Sequence, residues 1–207
     1  MAFFKNVVFD LGGVIIDLAV ENTINEFSRL TGRTSSQIWE AYRAHDEFIQ
    51  YEKGMISDEE FRQALCRIFS IKASTEDLDQ SWNAMLVGLP KHKLDLLERL
   101  KSKFKVTVLS NTNNIHLQHV DTVLLPGIRE HRPLNHFFHH HYYSHLVQKR
   151  KPEPEIFQQV LEENKFSPTE TLFLDDNKEN ITAAETLGIQ TQLIQHPDQV
   201  MDYFKSL

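Results

Sequence analysis

Phe3-Phe4-Lys5-Asn6-Val7-Val8-Phe9-Asp10-Leu11-Gly12-Gly13-Val14-Ile15-Ile16-Asp17 is the stretch on which the reading of this 207-residue chain turns. An apolar run dense in Val and Phe reads as a buried strand. It ends on a carboxylate, and two glycines follow at once. Packing gives a buried strand no reason to finish on Asp. In an open parallel sheet, however, ligands collect beyond the carboxyl ends of the strands, so an Asp there faces a site. Gly12 and Gly13 allow backbone conformations closed to other residues and a close approach to a ligand. Taken alone, Asp10 could equally cap the following turn.

Outward from this stretch the pattern changes. From about Val20 to Leu89 the periodicity is helical, with no convincing strand and about four helices. Ile24, Phe27 and Leu30 share a face that Gly32 closes. Ser35 precedes a segment carrying Ile38, Trp39 and Tyr42. Ser57 and Glu60 have capping-box spacing ahead of Phe61, Leu65 and Ile68. Leu78, Trp82 and Met85 repeat the stripe; Trp39, Trp82 and Met85 are predicted core of this block. From Pro90 the chain alternates between strands and helices. Strands are predicted at Phe104–Leu109, Phe137–Tyr143, Thr171–Leu174 and Ile189–Ile194, and helices follow Pro90, Asn114, Pro154 and Ile181. Such alternation implies right-handed crossovers, hence an α/β fold with a Rossmann-like parallel sheet. Residues 1–16 and 90–207 are predicted to form the sheet core, and residues 17–89 an all-helical insertion. No internal repeat or low-complexity linker interrupts either part.

Three predicted strands end in polar groups: Asp10, Ser110 with Asn111, and Asp175 with Asp176. In a parallel sheet these ends lie on one edge. Three carboxylates in one crevice repel, so some stay protonated unless a cation intervenes. Mg²⁺ suits the task, since it is held by one or two carboxylates while keeping waters and a substrate phosphate. A cation is available nearby in Lys149-Arg150-Lys151-Pro152-Glu153-Pro154, just ahead of a predicted helix, and a Lys serves as a point charge for phosphate oxygens. Independent caps would have to coincide at all three ends to explain the same pattern.

On these motifs, VVFDLGG, VTVLSNT, KPEPEIF and FLDDNKENI, the chain resembles the haloacid dehalogenase (HAD) superfamily over essentially its whole length. The helical insertion stands where that family carries its C1 cap. DLGGVIID, EKGMISDEEF, VLSNTN and RKPEPEIF further resemble the bacterial α-D-glucose-1-phosphate phosphatase group, and the phosphatase domain of soluble epoxide hydrolases is a more distant likeness. The resemblance implies a Mg²⁺-dependent phosphomonoester hydrolase acting on a small phosphorylated metabolite, such as the sugar phosphate glucose 1-phosphate. Asp10 would be the nucleophile that becomes an aspartyl-phosphate. Asp10, the carbonyl of Gly12 and Asp176 would hold Mg²⁺, while Asp175 would act through a metal-bound water or orient Lys151. Ser110 and the backbone at Asn111 would bind the phosphoryl oxygens, whose charge Lys151 would neutralise.

One position departs from the family pattern. Phosphatases of the superfamily carry a second Asp two residues after the nucleophile, as acid for the leaving oxygen and base for the water. Here that position is Gly12, although a positioned acid or base contributes ~10²–10⁴-fold. A phosphatase with an acidic leaving group tolerates the loss. The alternatives are a 2-haloacid dehalogenase, whose halide leaves unprotonated, and a catalytically silent module binding a phospho-ligand or a partner.

The rest of the sequence narrows partners. Net charge is −7 with both signs interleaved, which gives no footprint for nucleic acid. No stretch approaches the ~20 apolar residues of a membrane span, and no signal peptide is evident. One cysteine, Cys66, reads as a packed thiol in a reducing cytoplasm. Oligomeric state leaves no signature. Eight of the eleven histidines fall between His116 and His145; His139 and His141 share a strand face that His140 does not, and a surface patch is the preferred reading over a metal site. His116 reads as a solvent-facing helix residue, or else as a group reaching the substrate. Asp17 either caps the next helix or touches substrate hydroxyls, and the Glu52-Lys53-Gly54-Met55 loop is predicted to face the crevice.

Overall fold

The computed structural model describes residues 4–128 and 132–205. The opening stretch forms β1 (Asn6–Phe9), followed by β2 (Asp17–Leu18) and five helices: α1 (Val20–Thr31), α2 (Ser35–Ala44), α3 (Glu47–Glu52), α4 (Asp58–Phe69) and α5 (Thr75–Asn83). β3 (Leu86–Gly88) returns the chain antiparallel to β2. Next come α6 (Lys91–Lys101), β4 (Lys105–Ser110), α7 (Asn114–His119), β5 (His140–Tyr143), α8 (Ser144–Val147) and α9 (Pro154–Asn164). β6 (Thr171–Asp175), α10 (Lys178–Thr186), β7 (Gln190–Leu193) and α11 (Gln199–Lys205) complete the described residues.

Among those residues a five-stranded sheet runs in the order β5-β4-β1-β6-β7, all neighbours parallel. β1 is central and all four of its residues are buried, as a strand covered on both faces requires. Its side chains alternate. Val7 and Phe9 join Leu97, Leu100, Val106 and Val108 on one face, whereas Val8 joins Leu109, Phe157 and Phe173 on the other. The chain leaves β1 for strands on both its sides, so the strand order reverses there and opens a crevice beyond its carboxyl end.

The helical block has an apolar cluster of its own, built on Ile24, Phe27, Phe48, Phe61, Leu65 and Trp82. Ile115 of α7 joins that cluster, so the block grips the core just past Ser110. Five helices stand where periodicity predicts about four, because the six residues of α3 are too few to establish a repeat. Ser57 and Glu60 form the predicted capping box, and Gly32 closes α1 in the left-handed region at φ 69°. The cap of α2 is Thr34, with Gln37 as its reciprocal partner, rather than Ser35. Cys66 is a free, half-buried thiol packed against the same cluster.

The short β2–β3 pair corrects the expectation of no strand in this region; two- and three-residue strands carry no period to detect. Asp17 belongs to this pair, and its carboxylate meets the fully buried Lys93 ammonium of α6 at 2.8 Å. It therefore fastens the stem to the core. Asp17→Ala strands a buried ammonium and is expected to destabilise the fold by about 2 kcal/mol, since Asp17 itself is a third exposed. Lys93→Met should cost less, and urea midpoints of the two variants check the order.

Strand β5 begins at His140 rather than Phe137, because Leu134–Phe137 forms a 3₁₀ turn. His139 and His141 are exposed, and the Val106 amide donates to His139 Nδ1. Among the described residues these histidines gather no metal-ligating group; His131 lies outside them.

Candidate active site

The register of the sheet brings the polar strand ends together. The Asp10 amide donates to the Leu174 carbonyl at 2.8 Å, which sets Asp10 level with the end of β6 at Asp175. Lys151 enters from the loop before α9 and is 1 % exposed. Its ammonium lies 2.9 Å from Asp10 Oδ1 and 2.6 Å from Asp175 Oδ2. The Leu11 amide also donates to Asp10 Oδ1. Asp175 is held rigidly, taking hydrogen bonds from the Asn177 amide and from the Asn180 carboxamide at both oxygens. Asp175 therefore aims Lys151. Its supporters Asn177 and Asn180 lie within the FLDDNKENI motif, yet spacing alone did not single them out.

Asn111 contributes more than its backbone. Its carboxamide clamps the Lys151 main chain, donating to the carbonyl and accepting from the amide, both at 2.8 Å. Ser144, unforeseen in the sequence, fixes the Ser110 loop by accepting from the Thr112 amide and donating to the Thr112 carbonyl. Long-range pairing of this kind leaves no local sequence signal.

Charge is crowded here. Burial pushes the Asp10 carboxyl up to about 7; Lys151 opposes this, while Asp175 and Asp176 add to it. Asp176 is also raised, by burial first and then by Asp175. Burial pulls the Lys151 ammonium down, but Asp10 and Asp175 outweigh it and hold the group above its usual value. Asp10, Asp175 and Asp176 each offer an oxygen, all within 4.8 Å of one another. An all-oxygen, under-compensated donor set of this size fits a hard divalent cation.

The two glycines have different reasons. Gly13 adopts φ 70°, and a Cβ there would run into the Asp176 carboxylate. Gly12 is not in the left-handed region; instead a Cβ built on it would lie 2.6 Å from Leu18 Cδ1. Leu18 thus fills the room beside the position where the family pattern has its acid.

Under the helical block and against these strand ends lies a cavity of about 300 Å³. Ser110, Asn111, Leu11 and Gly12 line its floor, and Trp39, Tyr42, Trp82 and Met85 its roof. Trp82 is buried core of the cap as predicted and the half-buried Trp39 packs against the same cluster, while both also line this cavity; Met85, half-buried and outside the cluster, is cavity wall rather than core. Of the Glu52–Met55 loop, Glu52 alone lines the cavity, while Lys53 pairs with Glu153 and Met55 is exposed.

His116 is buried rather than solvent-facing. Its ring stacks on Trp82 with centroids 5.2 Å apart, and its Nδ1 meets Asn83 Oδ1 at 2.8 Å. Burial lowers its pKa to about 3. A depressed folded value means the native state resists a proton that the unfolded chain accepts. The stability this neutral ring contributes is complete above 6.5 and is lost as pH falls towards about 3. His116→Gln should remove one proton's share of the acid slope, about 1.4 kcal/mol per pH unit. Urea midpoints at several pH values check this; equal slopes in both proteins would refute it.

A haloacid dehalogenase-like hydrolase family model matches residues 4–188. The chain belongs to the haloacid dehalogenase-like hydrolases. D-ribitol-5-phosphate phosphatase of Bacteroides thetaiotaomicron is 31 % identical over 187 residues, covering 90 % of each chain. A HAD family enzyme from Bacteroides thetaiotaomicron, crystallised with magnesium and inorganic phosphate, superposes with a TM-score of 0.84 and 38 % identity, covering 92 % of this chain and 93 % of that one. A HAD-like family hydrolase from Porphyromonas gingivalis gives a TM-score of 0.86 at 30 % identity, covering 99 % and 96 %. The HAD-like sheet and helices account for the observed order of elements. No described helix is long and apolar enough to cross a membrane.

Proposed function

We propose that this HAD-like hydrolase is a Mg²⁺-dependent phosphomonoesterase for small phosphorylated metabolites, acting through an aspartyl-phosphate on Asp10. The observation that carries this reading is the Lys151 ammonium held between Asp10 and Asp175 at the carboxyl edge of the sheet. Asp10, Asp176 and the Gly12 carbonyl would hold the metal, with Asp175 close by. Bound there, Mg²⁺ would offset carboxylate repulsion and polarise the phosphoryl group. Asp10 Oδ1 is engaged by Lys151 and the Leu11 amide, which leaves Oδ2 as the oxygen without a protein donor. The carboxylate attacks phosphorus and displaces the ester oxygen, which takes a proton from water; a second water then attacks phosphorus, gives up a proton to solvent and releases phosphate from Asp10. Ser110 and the backbone at Asn111 would donate to the phosphoryl oxygens while Lys151 balances their charge. Residues 17–89 would act as a cap over the core of residues 1–16 and 90–207.

A related protein is named for D-ribitol 5-phosphate, and the sequence motifs resemble glucose-1-phosphate phosphatases, so both compounds belong in the substrate panel. The test is phosphate release from that panel with Mg²⁺ and with EDTA. Mg²⁺-dependent release is expected. Chloride release from 2-chloropropionate in EDTA would instead favour the dehalogenase reading, and no turnover with any divalent metal would favour a silent binding module.

Gly12 bears directly on the leaving group. With no acid at this position, rates should fall steeply as the leaving alcohol becomes less acidic. Gly12→Asp combined with Leu18→Ala, which vacates the colliding methyl, is expected to raise kcat/KM for alkyl phosphates by roughly 10–10²-fold. p-Nitrophenyl phosphate, whose leaving group needs no proton, should change little. Equal gains on both substrates would remove the acid-catalysis explanation.

A further inference from the structure

We infer that the alcohol portion of the substrate carries several hydroxyls, read by Thr112 and His116 from the core side and by Tyr42 and Glu52 from the cap side; this rests on the phosphomonoesterase reading and names the residues that set its specificity. The cavity continues directly from the Ser110 end of the strands, so the group that carries the phosphate extends into it.

Thr112 and His116 are only 6 % and 8 % exposed. Even so, neither the Thr112 hydroxyl nor His116 Nε2 has a hydrogen-bond partner among the described residues. The side-chain polar atoms there that are both unpartnered and sealed from solvent belong to Ser28, Ser81, Thr107 and His145. The Thr112 hydroxyl and His116 Nε2 are therefore not sealed, and the space their residues line is this cavity. Asn83 presents Oδ1 to His116 Nδ1 at 2.8 Å. That oxygen can only accept, so Nδ1 carries the proton and Nε2 of the neutral ring keeps a lone pair. On the opposite wall, Arg150 directs both Nε and Nη2 at one oxygen of Glu52, Oε2, at 3.0 and 2.9 Å. Oε1 is left as an acceptor with no donor among the described residues. Tyr42 packs against Trp39 and Phe48, with ring centroids 5.8 and 4.8 Å away, which fixes its ring. Its hydroxyl is likewise unpartnered among the described residues.

The chemistry of these atoms selects the ligand. Glu52 Oε1 and His116 Nε2 only accept, whereas the Tyr42 and Thr112 hydroxyls both donate and accept. A hydroxyl also does both, so a chain or ring bearing several of them satisfies the mixed set. An alkyl chain would take water from the same atoms and return no hydrogen bond, which a site built this way rejects. An ammonium would serve the acceptors alone, and Arg150 already balances the Glu52 charge. Hydrocarbon from Ile16, Leu18 and Met85 lines the same cavity and suits the C–H faces of a polyol.

Both tryptophans of the chain line this cavity, so intrinsic fluorescence reads its occupancy directly. The experiment titrates Asp10→Asn protein, with Mg²⁺ present and no turnover, against D-ribitol 5-phosphate and against n-pentyl phosphate, which has the same carbon count and no hydroxyl on its chain. The expected result is at least ~10-fold tighter binding of the polyol phosphate. Tyr42→Phe and Thr112→Val in the same background should each narrow that ratio several-fold. Their melting temperatures should stay at the parent value, because neither removed hydroxyl has a protein partner. Equal affinities, tighter binding of pentyl phosphate or a ratio that both variants leave unchanged would overturn the inference. A narrowed ratio accompanied by a lower melting temperature would assign the hydroxyls to the fold and count against it. Because binding is read without catalysis, failure here is separable from failure of the phosphomonoesterase reading, which Mg²⁺-dependent hydrolysis of p-nitrophenyl phosphate by the wild-type protein tests on its own.

Discussion

Asp10→Asn should lower Mg²⁺-dependent phosphate release by about 10⁴-fold or more while the fold stays intact. The change keeps the shape of the side chain and its place level with the end of β6. What it removes is the anionic oxygen that would attack phosphorus in the proposed reaction and the negative charge that would help to hold the metal. No other carboxylate can take over the attack: Asp175 is immobilised by Lys151, Asn177 and Asn180, and Asp176 lies one residue further on at the exposed mouth. Stability should move the other way. Burial and two neighbouring carboxylates already make the Asp10 charge unfavourable, and Lys151 keeps Asp175 as partner in the variant. Thermal melts in EDTA should therefore find Asp10→Asn no less stable than the wild type. A variant with more than ~1 % of wild-type turnover would eliminate Asp10 as nucleophile, and a lower melting point would mean that the inactive protein is merely damaged.

The legible part of the molecule is the part whose chemistry is local. VVFD, VTVLS and LFLDD each combine a strand pattern with a terminal polar group, and parallel connection alone then makes their ends converge. Lys149, Arg150 and Lys151 are equally available cations ahead of the helix at Pro154, and only the likeness of KPEPEIF to the family pattern picks out Lys151. The features that escaped depend on contacts between distant segments. Ser144 matters through Thr112, thirty-two positions away. His116 is buried because α5 brings Trp82 and Asn83 against it, which nothing in its own helix announces. Gly12 was read as backbone freedom, yet that freedom is used at Gly13; at Gly12 the constraint is the volume of Leu18 on the next strand. The cavity itself was hidden for the same reason, since Trp39 and Met85 have a helical core pattern whether they face a core or a cavity.

Lys151→Met is the second large effect, with kcat/KM expected to fall about 10³-fold. The ammonium stands between two carboxylates in a site almost closed to water, where its charge acts at full strength on a phosphoryl group gaining negative charge. Methionine matches the stem but leaves Asp10 and Asp175 facing each other. Removing one partner of a buried pair costs about 3–5 kcal/mol, so the variant should melt at lower temperature in EDTA. Mg²⁺ should restore part of that loss, because a cation at the carboxylates offsets the same repulsion. Lys151→Arg is not expected to rescue activity. The Asn111 clamp fixes the backbone of this residue, and with 1 % exposure there is no space for a planar guanidinium beside the Phe173 ring, which lies 5.4 Å from the ammonium. Single-turnover kinetics with p-nitrophenyl phosphate separate the two contributions: a lost phosphate contact slows the burst expected from the proposed phosphorylation of Asp10, whereas a purely structural defect reduces its amplitude. A Lys151→Met protein that turns over within tenfold of the wild type would mean that the charge balance of the site does not depend on this ammonium.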